Sequence, residues 1–444
     1  MKKYIANKKF YILTGKMMIP IAIQSIINSL SGLIDTMMAS HFNAVSAVGI
    51  ALQVDNIMQC ITFGIAAGVN IFVVQYFGAK EYSNMKKCFG LSVIIVSINA
   101  LVWMALSLLL NTKLLGLYMN DMEVVTQAFE YLQFSCLSFV FTSIVMTFTF
   151  AYHSVQRTQI PLIISIIVMV MHVILNYILM FVIKLGVAGA GISMTITQVI
   201  NLMLYIGYSI YTKQPFIGTL KEMFIIPKKL VRKVIKKIYP LAFNECLFGI
   251  GNSMFIVAYG VFGKSVMDCY YIGNQIVTLF YTVVNAMSDA ATSLIGLELG
   301  KQDYDMAEQE VNYFFGITTV LSIFIIGIIL VFAPNIVSLF EVENQAAFVL
   351  SVSIIRVLSI RIAFRLFNVI IFASLRAGGD SRYLAFLDSM IMWGVVIAIS
   401  FVLIYHFKFN DIVLVILIGQ IEQLVRLILG MRRMKSKKWM NTML

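Results

Sequence analysis

The sequence predicts an all-α integral membrane protein: twelve transmembrane helices in two pseudo-symmetric six-helix bundles, related as parallel repeats. Three observations carry that expectation. Hydrophobic residues fill 60% of the 444 positions and charged residues only 12%, with a mean hydropathy of +0.91, a balance typical of polytopic membrane chains. Apolar runs long enough to cross ~30 Å of hydrocarbon recur along the whole chain. The second half largely superposes on the first at a near-constant offset, the mark of an internal repeat.

The predicted spans are 17–39, 50–76, 89–110, 131–151, 161–183, 189–211, 238–260, 269–297, 312–333, 347–374, 384–405 and 411–431. The first follows basic residues and ends near Ala39, as a signal sequence would, but it is too long and carries Asp35. Orientation follows from lysine and arginine. Lys2, Lys3, Lys8, Lys9 and Lys16 precede the first span, alternate loops on the same side hold Lys80, Lys86, Lys87, Arg157, Lys301, Arg376 and Arg382, and the tail adds Arg432, Arg433, Lys435, Lys437 and Lys438. The opposite loops contribute Lys113, Lys184, Lys264 and Lys408. Both termini are therefore expected in the cytoplasm. The net charge of +12 reports topology, and no nucleic-acid partner is expected.

Five cysteines, Cys60, Cys88, Cys136, Cys246 and Cys269, lack metal or redox spacing and read as small packing residues. No phosphate-binding glycine loop is present, because Gly78-Ala79-Lys80 and Arg376-Ala-Gly-Gly-Asp380 lack the necessary spacing. With no cluster of histidine, cysteine and glutamate either, the chain is not expected to be an enzyme or to need a cofactor.

An offset of 222 aligns Gly78–Tyr82 with Gly300–Tyr304, Phe150-Ala151 with Phe372-Ala373, Gln53 with Gln275 and Gln198 with Gln420. Earlier the offset is 220, pairing Pro20 with Pro240 and Gln24 with Asn244. The expected lobes are 1–215 and 216–444, joined by a basic cytoplasmic connection over about 212–237. Each holds an even number of spans, so both enter the membrane in the same sense.

Polar residues inside the spans mark candidate sites. Gln24, Asn28, Ser31 and Asp35 step by 4, 3 and 4 along the first span, which keeps them within about 60° of one helix face. Gln53, Asn56 and Asn70 line the second span, and Gln275, Thr278, Thr282, Asn285, Asp289 and Thr292 the eighth. Isolated serines and threonines on such stripes mostly bond neighbouring helices. A carboxylate is different: at the bilayer centre it costs at least ~2.5–3.5 kcal/mol, so Asp35 needs water, a cation or a donor network. His172 stands one turn before Asn176 in the fifth span. The seventh span supplies Glu245, with Gly249, Asn252 and Tyr259 on nearly the same face. At the repeat offset Asp35 faces Phe255 and Glu245 faces Ser25, so the acids are not duplicated copies. The tenth span carries Arg356, Arg361 and Arg365, and an ion pair is expected between Arg365 and either Glu245 or Asp289. Glu422 and Arg426, one turn apart, are expected to pair locally. Asp55 and Asp388 lie nearer span ends and are expected to be wetted.

At four places the sequence resembles the multidrug and toxic compound extrusion (MATE) family, within the larger group that includes polysaccharide and lipid-precursor flippases. These are LIDTMMASHFNAVSAVGIA (Leu33–Ala51), VQYFGAKEYSNMKK (Val74–Lys87), Pro240 followed by Asn244-Glu245, and LRAGGDSRYL (Leu375–Leu384). The resemblance implies a V-shaped pair of lobes, alternating access, and export of amphipathic organic cations across the cell membrane in exchange for Na⁺ or H⁺. It implies that Asp35 is the acid of the N-lobe cation site, Glu245 the acid of the C-lobe, and Thr195 in GAGISMT a further member of the N-lobe site. The residues depart from the family at two points: His172 and Asn176 replace an asparagine and an aspartate found in some prokaryotic members, and Arg365 lies near the position of an acid found in another branch. Asp35 with Asn176 and Thr195 could form an oxygen shell for Na⁺, or Asp35 could take H⁺; the two stand unranked. A lipid bilayer, a small-molecule cation and a monomeric state are the expected partners and assembly. The alternative is a flippase or exporter of a lipid-linked or peptide-like product with the same fold.

Overall fold

The computed structural model describes residues 4–42, 44–116, 122–338 and 344–442. Among them all regular structure is helical, as expected where no water is present to satisfy free backbone groups. The elements are α1 (Lys8–Ser40), α2 (Val45–Gly78), α3 (Tyr82–Leu115), α4 (Met122–Ser135), α5 (Ser138–Ser154), α6 (Gln159–Tyr177), α7 (Gly186–Tyr211), α8 (Leu220–Phe224), α9 (Lys228–Tyr259), α10 (Lys264–Gly300), α11 (Tyr304–Ser338), α12 (Gln345–Ala377), α13 (Ser381–Ala385), α14 (Ala398–Phe401), α15 (Ile412–Gly419) and α16 (Ile421–Lys435). Wide π turns follow α6 at Ile178–Val182, link α13 to α14 at Phe386–Met390 and Met392–Ile397, and follow α14 at Val402–His406.

Nine segments among the described residues are long and apolar enough to cross a membrane, and α4 with α5, bent by 55°, makes a tenth. The remaining two rods are α9 with 32 residues and α10 with 37. Both carry charge: α9 opens on Lys228, Lys229, Arg232, Lys233, Lys236 and Lys237, and α10 carries Asp289 and Glu298. The fold is thus the expected twelve-rod, all-helical one.

The repeat is written in the backbone as well as in the residues. Lys80 and Gln302, 222 positions apart, both leave their helices in the left-handed conformation at φ 62°. Around the wide turns the spacing is 224, as those at Ile178–Val182 and Val402–His406 show, before it returns to 222 at Gln198 and Gln420. Lys184 (φ 63°) and Lys408 (φ 52°) close those turns in the same way.

Two compact units emerge, Ile19–Ala242 (the N-unit) and residues 1–18 with 243–443 (the C-unit). The N-unit runs past residue 215 because the first turns of α9 pack within it: a Cβ at Gly68 of α2 would lie 3.3 Å from both Ile238 and Leu241. Its helices are laced by hydroxyl pairs, including Thr62 with Ser143 (3.3 Å), Ser92 with Thr147 (3.3 Å) and Tyr152 with Ser209 (2.7 Å). These are the interhelical bonds expected of serines and threonines in lipid. In the C-unit, Phe10 of α1 packs on Tyr313 and Phe314 of α11 at 5.1 and 5.4 Å between ring centroids. The tail folds back onto the same unit, where Arg433 bonds Asp380 (2.7 Å) and Lys437 bonds Glu308 (2.6 Å).

Candidate functional site

In the N-unit, Asp35 is 2% exposed on α1, and His172 and Asn176, one turn apart on α6, meet it. Its Oδ1 accepts from Asn176 Nδ2 at 2.5 Å and lies 2.8 Å from His172 Nε2. On the other side of the imidazole, Nδ1 lies 3.4 Å from the Thr197 hydroxyl of α7. That hydroxyl donates to the Ser193 carbonyl at 2.5 Å, and Ser193 donates to the His172 carbonyl at 3.4 Å. Because the Thr197 hydrogen is engaged, its oxygen offers a lone pair to Nδ1. Nε2 also lies 3.2 Å from Asn176 Nδ2, so Asp35, His172 and Asn176 form one closed triangle of polar contacts. The wide turn at Ile178–Val182 begins two residues after Asn176, and such turns recur where a helix must aim a functional side chain.

Thr195 is elsewhere. Its hydroxyl donates to the Phe134 carbonyl at 2.6 Å, next to the break between α4 and α5 where helical bonding lapses. Gly191, one turn earlier, allows that approach, since a Cβ there would lie 2.4 Å from the Tyr131 carbonyl. The hydroxyl in the Asp35 cluster is Thr197, and the sequence signal for it is only its placement two residues beyond the motif. Asn28 is exposed, while Gln24 is buried and bonds the Tyr205 hydroxyl. The Ser31 and Gln275 side chains lie outside the described residues. Asp55 is half-buried and accepts from Gln59 at 2.6 Å.

In the C-unit the acids and arginines form a network that differs from the expected one. Arg365 pairs with Asp388 at 3.5 Å, and Glu245 pairs with Arg376 at 3.5 Å. The expected Arg365 to Glu245 or Asp289 pair is thereby corrected: Arg376, at the last turn of α12, competes for both, reaching Glu245 directly and Asp289 electrostatically. Asp388 is buried, not wetted, at 6% exposure. It also pairs with Arg426 (3.3 Å) and accepts from Asn244 Nδ2 (3.1 Å), whose own Oδ1 takes the Ser389 hydroxyl at 2.6 Å. Arg426 in turn bonds Glu422, as its one-turn spacing predicts, and the Asp388 carbonyl. Above Arg365 stand the rings of Phe248 and Phe372, 5.6 and 5.5 Å from its guanidinium carbon, a cation–π arrangement. Tyr259 is buried and Asn252 exposed. Asn244, Arg376, Asp388 and Ser389 went unremarked as site residues in the sequence because each is a polar residue at a span end until folding turns it inward.

No group of three or more histidine, cysteine, aspartate or glutamate residues gathers as a metal site among the described residues. The family model MatE matches residues 20–178 and 240–405. The chain belongs to the MatE family. Among its curated relatives is an uncharacterised transporter, YisQ, of Bacillus subtilis, 25% identical and covering 95% of this chain and 93% of its own length. A probable multidrug resistance protein, NorM, of Thermotoga maritima is 20% identical over 88% of this chain and 85% of its own. A crystal structure of a MATE protein in a bent conformation superposes with a TM-score of 0.87 at 15% identity, covering 98% of this chain and 99% of that one. A transporter from Pyrococcus furiosus, of the MOP superfamily and described as having a binding pocket of reverse polarity, scores 0.86 at 16% identity over 98% and 99%. MatE proteins of this kind are membrane transporters, not enzymes, and the twelve-rod fold with its two units is theirs.

Proposed function

We propose that this MatE protein is a proton-coupled antiporter that exports amphipathic organic cations across the cell membrane, working as a monomer with both termini in the cytoplasm. The observation that carries the reading is the Asp35 cluster: a buried carboxylate whose Oδ1 meets two nitrogens, His172 Nε2 at 2.8 Å and Asn176 Nδ2 at 2.5 Å. Sodium is a hard cation that takes oxygen ligands. Both contacts on Asp35 Oδ1 are nitrogens, the buried Asn176 Oδ1 is the one unpartnered oxygen of that carboxamide, and Thr195, the further hydroxyl that an oxygen shell would need, bonds Phe134. A proton fits without rearrangement. It resides on His172, held between the Asp35 carboxylate and the Thr197 oxygen, and its departure leaves a net negative charge buried among helices. That charge favours whichever conformation returns Asp35 and His172 to a proton source, which couples the gradient to the transport cycle. The lysine and arginine distribution supports cytoplasmic termini. The family match and the multidrug names of several relatives support small-molecule export.

The test is purified protein in liposomes, with a fluorescent organic cation and either a pH gradient or a Na⁺ gradient at clamped pH. The pH gradient is expected to drive uptake, and Asp35→Asn to reduce it by about 5- to 150-fold, the usual range of a coupling energy. Uptake driven by Na⁺ alone at clamped pH overturns the proton assignment. Full gradient-driven uptake in Asp35→Asn overturns the role of Asp35.

A further inference from the structure

In the C-unit, the residues equivalent to the Asp35 cluster are apolar, and the one acid at that place, Glu422, comes from another position. At the offsets established above, Asp35 corresponds to Phe255 (220), His172 to Val396 (224) and Thr197 to Gly419 (222). All three replacements line one small cavity of about 20 Å³, together with Tyr259, Tyr270, Gln420 and Arg361. Exchanging a threonine for glycine and a histidine for valine clears the space. The charge returns from the opposite side: Arg361 corresponds to Phe139 at the 222 offset, and Phe139 is buried in the apolar core of the N-unit. At these corresponding positions one unit therefore carries an acid and a phenylalanine, and the other a phenylalanine and an arginine.

Arg361 sits at the midpoint of α12, where a cation has least access to water on either side of a bilayer. Among the described residues it makes no direct ion pair or hydrogen bond, while Tyr281, Glu422, Tyr270 and Tyr259 lie within electrostatic reach of it. Glu422 also lines the cavity, but its carboxylate is held by Arg426, and Asp388 is held by Arg426 and Arg365. Glu422 is thus shared between Arg426, which it bonds, and Arg361, which it reaches electrostatically, leaving two guanidiniums to one carboxylate. A guanidinium so placed needs a counter-charge, and phenol hydroxyls are donors suited to an anion.

We propose that this cavity binds one small monovalent anion, held by the Arg361 guanidinium and the Tyr259 and Tyr270 hydroxyls. The chemistry is that of a halide or of a single carboxylate, since a cavity of about 20 Å³ admits one water-sized group. The anion comes either from solution as an ion or as the terminal group of a transported molecule. The inference does not rest on proton coupling at Asp35, because the two sites lie in different units and share no residue.

The experiment is thermal unfolding of the purified full-length protein, titrated with sodium bromide or sodium acetate against sodium methanesulfonate at equal ionic strength. Saturating bromide is expected to raise the unfolding temperature of the wild type by about 3 °C, and Arg361→Met to abolish the rise. Tyr270→Phe, which keeps the ring, is expected to raise the bromide concentration needed by about tenfold, and it serves the same purpose if Arg361→Met does not fold. Bromide acting without acetate identifies a free halide, and acetate acting without bromide identifies a carboxylate. No response to either anion in the wild type overturns the proposal, as does an undiminished response in both variants.

Discussion

The two units bury charge in opposite ways. In the N-unit, Asp35 meets a histidine and a carboxamide on one oxygen, and under the proposed proton coupling a single proton decides whether the cluster is neutral or negative. In the C-unit, Asp388 meets Arg365, Arg426 and Asn244, and Arg426 also holds Glu422. No single proton alters that network much, because each charge has several partners. A buried charge that must switch is left with an exchangeable partner, and a buried charge that must hold a fold is over-determined.

The largest effect should come from breaking the network. Arg426→Met leaves Glu422 and part of Asp388 uncompensated and is expected to destabilise the protein by about 3–5 kcal/mol, read by chemical or thermal unfolding in detergent. Asp35→Asn, which keeps the shape and removes the charge, should alter stability by less than about 1 kcal/mol while removing coupling. Equal destabilisation by the two would erase the contrast between a structural and a switching charge.

His172→Gln probes the switch itself. Glutamine can still donate to Asp35 but cannot carry a proton, so the pH dependence of uptake should flatten and gradient-driven uptake fall by about tenfold or more. An unchanged pH profile places the exchangeable proton elsewhere. Next come the two threonines. Thr197→Val should weaken coupling, whereas Thr195→Val should leave coupling intact and cost about 1 kcal/mol of stability, because the Phe134 carbonyl keeps its bond from the Leu137 N–H. Opposite behaviour would restore Thr195 to the site.

The smallest effect lies outside the membrane. Glu222 caps α8: its carboxylate accepts from the Thr219 backbone N–H at 2.8 Å and from Lys86 at 3.3 Å. Both hold its carboxyl below the ordinary glutamate range, the backbone bond more strongly. A depressed folded-state pKa contributes stability above the unfolded pKa and loses it as pH falls through the folded one. Glu222→Gln should therefore remove a slight acid-side loss of stability in wild-type unfolding curves and leave transport unchanged. A transport defect would show that this loop takes part in the cycle.

Much of this was legible before folding. Helical spans follow from runs of apolar residues because lipid forces every backbone group to bond within its own segment. The repeat, the one-turn pairing of His172 with Asn176, and the local Glu422–Arg426 pair are all periodicities of a helix. The isolation of Asp35 in an apolar run also marked it as a residue needing a partner. Contacts between helices were less legible. Arg365 and Glu245 looked like partners by depth, but Arg376 and Asp388 reached them first. Thr195 belonged to the motif, yet the bend between α4 and α5 claims it.

Sequence by itself determined the class of molecule, its twelve rods, the doubling of its plan and the buried acid, since each depends on composition or on spacing along one helix. Tertiary structure alone decided which nitrogen meets Asp35, which arginine meets which acid, and that the C-unit holds a cavity beside Arg361 where the N-unit holds its acid. Those outcomes depend on how helices rotate and approach one another, and a rotation of one residue about a helix turns a side chain by about 100°.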